Sequence, residues 1–240
     1  MTALLDRQQL LFDADDTLWE NNVHFERAFE AFVTFLNHER LSPQEIRDVL
    51  DKFERAGISS QKYGSRAFAD SLVQTYQEIT ASRDDGELAA VQQFGLRILE
   101  IEMELIEGVE ETLEALRPHH DLLLVTKGDL EEQRLKIDRA RISGLFDAHV
   151  ITQEKRTETY RDIAESLDLE PDRSWMIGNS TRSDIQPALE AGLHAVFIPH
   201  EMTWHLEHIE FEHHPDWVGR FVELPRFRDL QTLFRHGTRS

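Results

Sequence analysis

Apolar and polar positions along the chain fall into two regimes, and the first change comes early. The run Leu10-Leu11-Phe12 meets Asp13, Asp15 and Asp16 within a few positions, ahead of Thr17 and Leu18. A solid apolar run predicts a buried strand, and carboxylates crowded at its end predict that it opens at a solvated edge or beside a cation. From about Asn21 to Glu107 the period becomes helical. Phe25, Phe29, Phe32 and Leu36 form one stripe, and Ser42-Pro43-Gln44-Glu45 starts a second helix with a capping Ser, Pro in the first turn and Glu reaching back. A third helix carries Phe68, Leu72, Tyr76 and Ile79, and a fourth runs from about Glu87 through Ile98, Ile101 and Leu105. Nothing in this tract alternates with strand period, so it predicts a helical bundle inserted after the first strand.

From Gly108 onward helix and strand alternate. Helices at about 109–117, 130–142, 157–167 and 183–191 separate strands at 121–126, 149–152, 174–178 and 194–199, the second strand being the run Leu122-Leu123-Leu124-Val125. That order predicts an α/β fold, a Rossmann-like parallel sheet with helices on both faces, and an all-α bundle beside it. The expected domains are 1–20 with 108–240 for the sheet and 21–107 for the bundle. Residues 200–217 read as irregular, and 221–224 with a helix at about 226–234 add an edge strand and a closing helix. Ligands of such sheets bind beyond the carboxyl ends of the strands.

Charge narrows the partners. Acidic residues number 46 against 26 basic, a formal net charge of −20. Such a surface repels nucleic acid and anionic lipid, although a metal and a few cations can still accept a small phosphorylated ligand locally. With no cysteine, disulfide and thiolate chemistry are excluded. Neither a signal pattern nor a membrane-length apolar run is present, so a cytosolic protein with no membrane partner is expected; oligomeric state is not legible.

Each expected strand end carries a different reactive group. The first presents Asp13 and Asp15, which on a regular strand would share a face and suit a divalent metal or a division of acid and base roles. The second presents Thr126 before Lys127-Gly128. Lys155 lies just past the third, and the fourth leads into Gly178-Asn179-Ser180-Thr181-Arg182-Ser183-Asp184. Carboxylates, a hydroxyl and an ammonium on one rim are what phosphoryl transfer requires. In the helical tract Lys62 and Arg66 flank Gly64 and are candidate contacts for an anionic substrate. His200, His205, His208, His213 and His214 contain a possible ligand pair, but without a regular framework they read as a solvated loop.

These motifs, in this order, resemble those of the haloacid dehalogenase-like superfamily: Asp13-Ala14-Asp15-Asp16-Thr17, Thr126 after the second strand, Lys155, and the acidic loop ending at Asp184. The resemblance implies a hydrolase with a helical cap that covers the site and reads the substrate. It makes Asp13 the nucleophile, Asp15 the general acid and base, Thr126 with the amides of Lys127 and Gly128 the phosphoryl holder, and Lys155 the charge-balancing group. Mg2+ would be bound by Asp13, the carbonyl of Asp15, Asp184 and Asn179. Asn179 departs from the family's usual Gly-Asp and brings no charge to a metal. A magnesium-dependent phosphatase of a small metabolite is therefore expected, with a metal-free 2-haloacid dehalogenase or a catalytically quiet binding module as the alternatives.

Overall fold

Buried apolar strands account for the centre of the fold. In the computed structural model, which describes residues 7–37, 40–60, 62–209 and 214–235, β1 (Gln9–Phe12) pairs in parallel with β2 (Asp121–Lys127) on one side and β4 (Ser174–Gly178) on the other. β3 (Ala148–Thr152), β5 (His194–Phe197) and β6 (Phe221–Glu223) complete a six-stranded, all-parallel sheet ordered β3-β2-β1-β4-β5-β6. Alternation along β1 sends Leu10 and Phe12 into one hydrophobic cluster and Leu11 into another. The first cluster takes in Leu113 and Leu116 of α5 (Val109–Leu116) and Ile137 of α6 (Leu130–Arg139). The second takes in Tyr160 and Ile163 of α7 (Thr157–Ser166) and Ala188 of α8 (Gln186–Glu190). Both faces are therefore covered, as the solid apolar strands require. The expected α/β class with a Rossmann-like sheet holds.

The chain divides into two compact units, residues 1–20, 103–127 and 133–240 in one, and 21–102 with 128–132 in the other. The second contains the four long helices α1 (Asn22–Leu36), α2 (Pro43–Ser59), α3 (Gly64–Thr80) and α4 (Asp85–Leu96). Phe29, Phe32, Ile46, Leu50, Phe68, Leu72 and Tyr76 form its core. The capping box of α2 forms as its sequence announces, with Glu45 N–H donating to the Ser42 hydroxyl and Ser42 N–H to the Glu45 carboxylate. At the start of α3, Glu132 accepts from the Ser65 amide and hydroxyl, and Gly64 (φ 86°) leaves the space this carboxylate fills.

Three elements differ from the sequence expectation. The fourth helix stops at Leu96, a 3-10 turn continues to Glu100, and Ile101 is extended, so Ile101 and Leu105 are not helical. The reason is tertiary: Leu105 bridges Trp19, and Met103, Leu105 and Ile106 pack on the sheet's core. The helix expected from Ser183 begins as a wide π turn, Thr181–Ile185, before α8. The last helix is short, α9 (Leu230–Leu233) after a 3-10 turn. No helix among the described residues is long and apolar enough to cross a membrane.

Within the helical unit Gly95 packs directly on the backbone of α3, where an added Cβ would lie 2.6 Å from the Cα and Cβ of Ala69. Gly95→Ala is expected to destabilise the protein by about 1–3 kcal/mol through overpacking. Urea unfolding monitored by circular dichroism, with Gly144→Ala as the control in open space, measures it; equal midpoints would refute the close approach.

Candidate active site

β1, β2 and β4 end side by side, and the chain turns sharply at each end. The pairing of β1 continues one residue past its end through Asp13 N–H to the Ile177 carbonyl. Beyond Asp13 the backbone turns: Thr17 and Leu18 N–H both return to the Ala14 carbonyl, and Asp16 takes φ 61°. Asp13 and Asp15 therefore do not share a strand face, because the strand has ended before them; each carboxylate has its own set of partners.

Asp13 binds through Oδ1 to Lys155 Nζ, and the Thr17 hydroxyl lies 3.0 Å from its Oδ2. Lys155, 3% exposed, also donates to Asp184 Oδ1 at 2.8 Å. Burial pulls the Lys155 ammonium down, but the two carboxylates outweigh it and hold it above its usual range. For Asp184 the balance runs the other way. Burial and the nearby Asp13 charge push its carboxyl up to about 7, against Lys155 and the Ser180 N–H, which favour the charged form.

The Asp184 carboxylate reaches this position because Gly178 has no side chain. A Cβ there would lie 2.3 Å from Asp184 Oδ2, the oxygen that accepts from Ser180 N–H at 3.0 Å. Asn179, 6% exposed, follows directly. Its Oδ1 is 3.2 Å from the same Thr17 hydroxyl that faces Asp13, and its amide donates to Thr203 Oγ1 at 2.9 Å. Oxygens of Asp13 and Asn179 thus converge on one hydroxyl. The hard-oxygen donors of Asp13, Asp184 and Asn179 fit a divalent cation such as magnesium.

Asp15 is satisfied separately. It accepts from Trp19 Nε1 at 2.7 Å, from Gln133 Nε2 at 2.9 Å and from Lys136 Nζ at 2.9 Å. Burial pushes the Asp15 carboxyl up, yet Lys136, Gln133 and Trp19 together bring it below its ordinary value. The other end of Gln133 meets Thr126, whose hydroxyl donates to Oε1 at 3.2 Å. One amide therefore links the hydroxyl at the end of β2 to the second aspartate. Lys127 points to the other side, as strand alternation requires; its Nζ binds Ser183 at 2.9 Å and Glu207 at 2.5 Å. Gly128 follows at φ 139°.

Lys62 and Arg66 belong to the helical unit. The amide of Lys62 donates to the Gly57 carbonyl, and the Arg66 guanidinium lies 3.4 Å from Asp129. Of the histidines, His200 approaches Asp16 at 3.9 Å and Glu20 at 3.3 Å. Its Nδ1 accepts from Met202 N–H, which leaves Nε2 to face Glu20. His205 begins a 3-10 turn, His205–Glu207, and His208 follows it; His214 interacts with Asp216, and His213 lies outside the described residues. Gln133, Lys136 and Glu207 escaped the sequence reading, and Thr17 entered it only as part of the first motif, without a role. For Gln133 and Lys136 a signal existed, since Gln133 lies one turn before the buried Ile137 of α6 and Lys136 directly precedes it. For Glu207, in a stretch rich in His and Glu, there was none.

Gly178→Ala is expected to displace Asp184, break its bond to Lys155 and lower stability by about 1–3 kcal/mol. Thermal unfolding tests this, and an unchanged midpoint would contradict the contact at Gly178.

The chain is 27% identical to the N-acylneuraminate-9-phosphatase of Rattus norvegicus over 198 residues, 78% of this chain and 79% of that protein. A haloacid dehalogenase-like family hydrolase from Xanthomonas campestris superposes with a TM-score of 0.77 at 29% identity, covering 96% of this chain and 95% of the other. The L-2-haloacid dehalogenase of Xanthobacter autotrophicus shares the fold at a TM-score of 0.64 and 13% identity, covering 97% of this chain and 100% of the other. Residues 9–192 match the haloacid dehalogenase-like hydrolase family, so the chain belongs to that family.

Proposed function

We propose that the protein is a magnesium-dependent phosphatase of a small phosphorylated metabolite, acting through an aspartyl-phosphate on Asp13. The observation that carries this reading is the buried Asp13–Lys155–Asp184 chain, with Asp15 held apart on Lys136 and Gln133. A nucleophile and an acid–base group need different environments, and these two aspartates have them.

Asp13 attacks phosphorus while the ester oxygen leaves; the new bond is aspartyl oxygen to phosphorus and the broken one is phosphorus to alcohol oxygen. Asp15 gives the departing alkoxide its proton. In the free protein the Asp15 carboxyl is held low, mainly by Lys136 working against burial. A phosphate dianion beside it raises its affinity for a proton. Asp15, left as carboxylate, then takes a proton from the water that hydrolyses the aspartyl-phosphate. Lys155 offsets charge on Asp13 and the phosphoryl oxygens, and the Thr126 hydroxyl and the amides of Lys127 and Gly128 hold that group. Asp13, the carbonyl of Asp15, Asp184 and Asn179 would hold magnesium, which when bound supplies charge neutralisation on the phosphoryl oxygens. Lys62 and Arg66 are the candidates for reading the rest of the substrate. The similarity to a phosphatase of N-acylneuraminate 9-phosphate makes phosphorylated sugar acids the first compounds to assay.

Release of phosphate from p-nitrophenyl phosphate with magnesium tests this reading. Asp13→Asn should cost at least about a thousandfold in kcat, and a chelator should abolish the wild-type activity. Equal release by Asp13→Asn and wild type would rule out the nucleophile; dehalogenation of a 2-haloacid that survives the chelator would favour the carbon chemistry.

Lys136→Met separately tests the role of Asp15. Loss of the ammonium raises the Asp15 carboxyl, so the alkaline limb of the kcat profile, where the acid form is lost in the substrate complex, should move up by about one pH unit. An unmoved limb would mean that another group donates the proton.

A further inference from the structure

The stretch after β5, expected to be a solvated loop, is fastened along its length to the acidic loop that follows β4. Asn179 donates to Thr203, and the Ser180 hydroxyl donates to the Glu207 carboxylate at 2.8 Å. The Thr181 hydroxyl exchanges two bonds with the backbone of Ile209, each 3.1 Å. Arg182 donates to the Leu206 carbonyl at 2.9 Å, and the Ser183 hydroxyl donates to Glu207 at 2.5 Å. Every residue from 179 to 183 is thus tied to the segment 203–209.

Glu207 is the hub of this contact. Its side chain is 14% exposed, Oε1 accepts from Lys127 Nζ, and Oε2 accepts from both serine hydroxyls. Lys127 also donates to Ser183 Oγ, which closes the ring. The two serines are the residues that shape the turn holding Asp184: Ser180 Oγ caps Ser183 N–H at 2.9 Å, and Ser180 N–H holds Asp184 Oδ2. Tyr160 fixes the Ser183 carbonyl from the α7 side at 2.9 Å. Burial would favour a neutral Glu207, but Lys127 and the serines keep its carboxyl below the ordinary range, so the hub is an ion pair. A π turn is a poorly bonded backbone form that persists where its surroundings fix it.

We propose that Glu207 is a positioning residue for the acidic loop: through Ser180, Ser183 and Lys127 it holds Asp184 and Asn179 in the arrangement that binds magnesium, without itself touching metal or substrate. The inference rests on the magnesium reading above. Outer partners that orient ligands typically change metal affinity by about ten- to a hundredfold when replaced.

The test is calorimetric titration of magnesium into the metal-free full-length protein, wild type against Glu207→Gln, with phosphate release measured in parallel. Glu207→Gln should weaken magnesium binding about tenfold or more, while at saturating magnesium its KM for p-nitrophenyl phosphate stays within about twofold of wild type. Ser183→Ala, a smaller change, should weaken binding in the same direction and serves if the glutamine variant does not fold. Gly95→Ala, destabilised in the helical unit, should bind magnesium as wild type does, which separates positioning from general loss of stability. Wild-type affinity in folded Glu207→Gln or, failing that, folded Ser183→Ala would overturn the role of Glu207 alone. A wild-type protein that binds no magnesium would overturn the magnesium reading and this inference together.

Discussion

A lysine ammonium with almost no exposure to water sets the terms for the rest of the sheet unit. Taking such a group from solvent costs several kcal/mol, and only well-placed opposite charges offset it. Lys155 finds two, Asp13 after β1 and Asp184 after the β4 loop. Burial and the Asp13 charge push the Asp184 carboxyl up even with Lys155 beside it. Because the three groups come from distant parts of the chain, the order and register of the parallel strands are constrained by electrostatics as well as by packing. β1 lies between β2 and β4, so its end faces reactive groups from both neighbours.

Around that ion chain the protein uses two supports of different kinds. α6 supplies Gln133 and Lys136 to Asp15, which separates the second aspartate from the first by giving it its own cation. The segment beyond β5 supplies Glu207 to the loop after β4. In each case a charged side chain that faces inward takes the place of solvent. With a formal net charge of −20, the chain must keep its few inward lysines paired with particular acids if the site is to receive an anion.

The sheet was legible because its strands are buried on both faces and so appear as unbroken apolar runs, of which Leu122 to Val125 is the clearest. The reactive residues were legible for a related reason: polar groups that follow such runs directly stand out. The resemblance to the haloacid dehalogenase-like family, carried by Asp13, Asp15, Thr126, Lys155 and Asp184, agrees with the family match over residues 9–192. What escaped was tertiary. Leu105 continues a helical period yet lies in an extended segment because Trp19 offers it a bridge. Glu207 looks like a solvated surface charge in sequence, and the helical period around Lys136 marks an inward face without revealing the carboxylate that waits for it across the fold. Asp13 and Asp15 have the spacing of a strand face, but the backbone had already left the strand.

Gly178 illustrates how a hydrogen atom can be a functional group. The volume that a methyl would occupy there is filled by the carboxylate of Asp184, 2.3 Å from where that methyl would begin. Any side chain at this position therefore displaces Asp184, whatever chemistry the enzyme performs. At its neighbour 179 a side chain does fit, and there an amide stands beside the buried acids between Thr17 and Thr203.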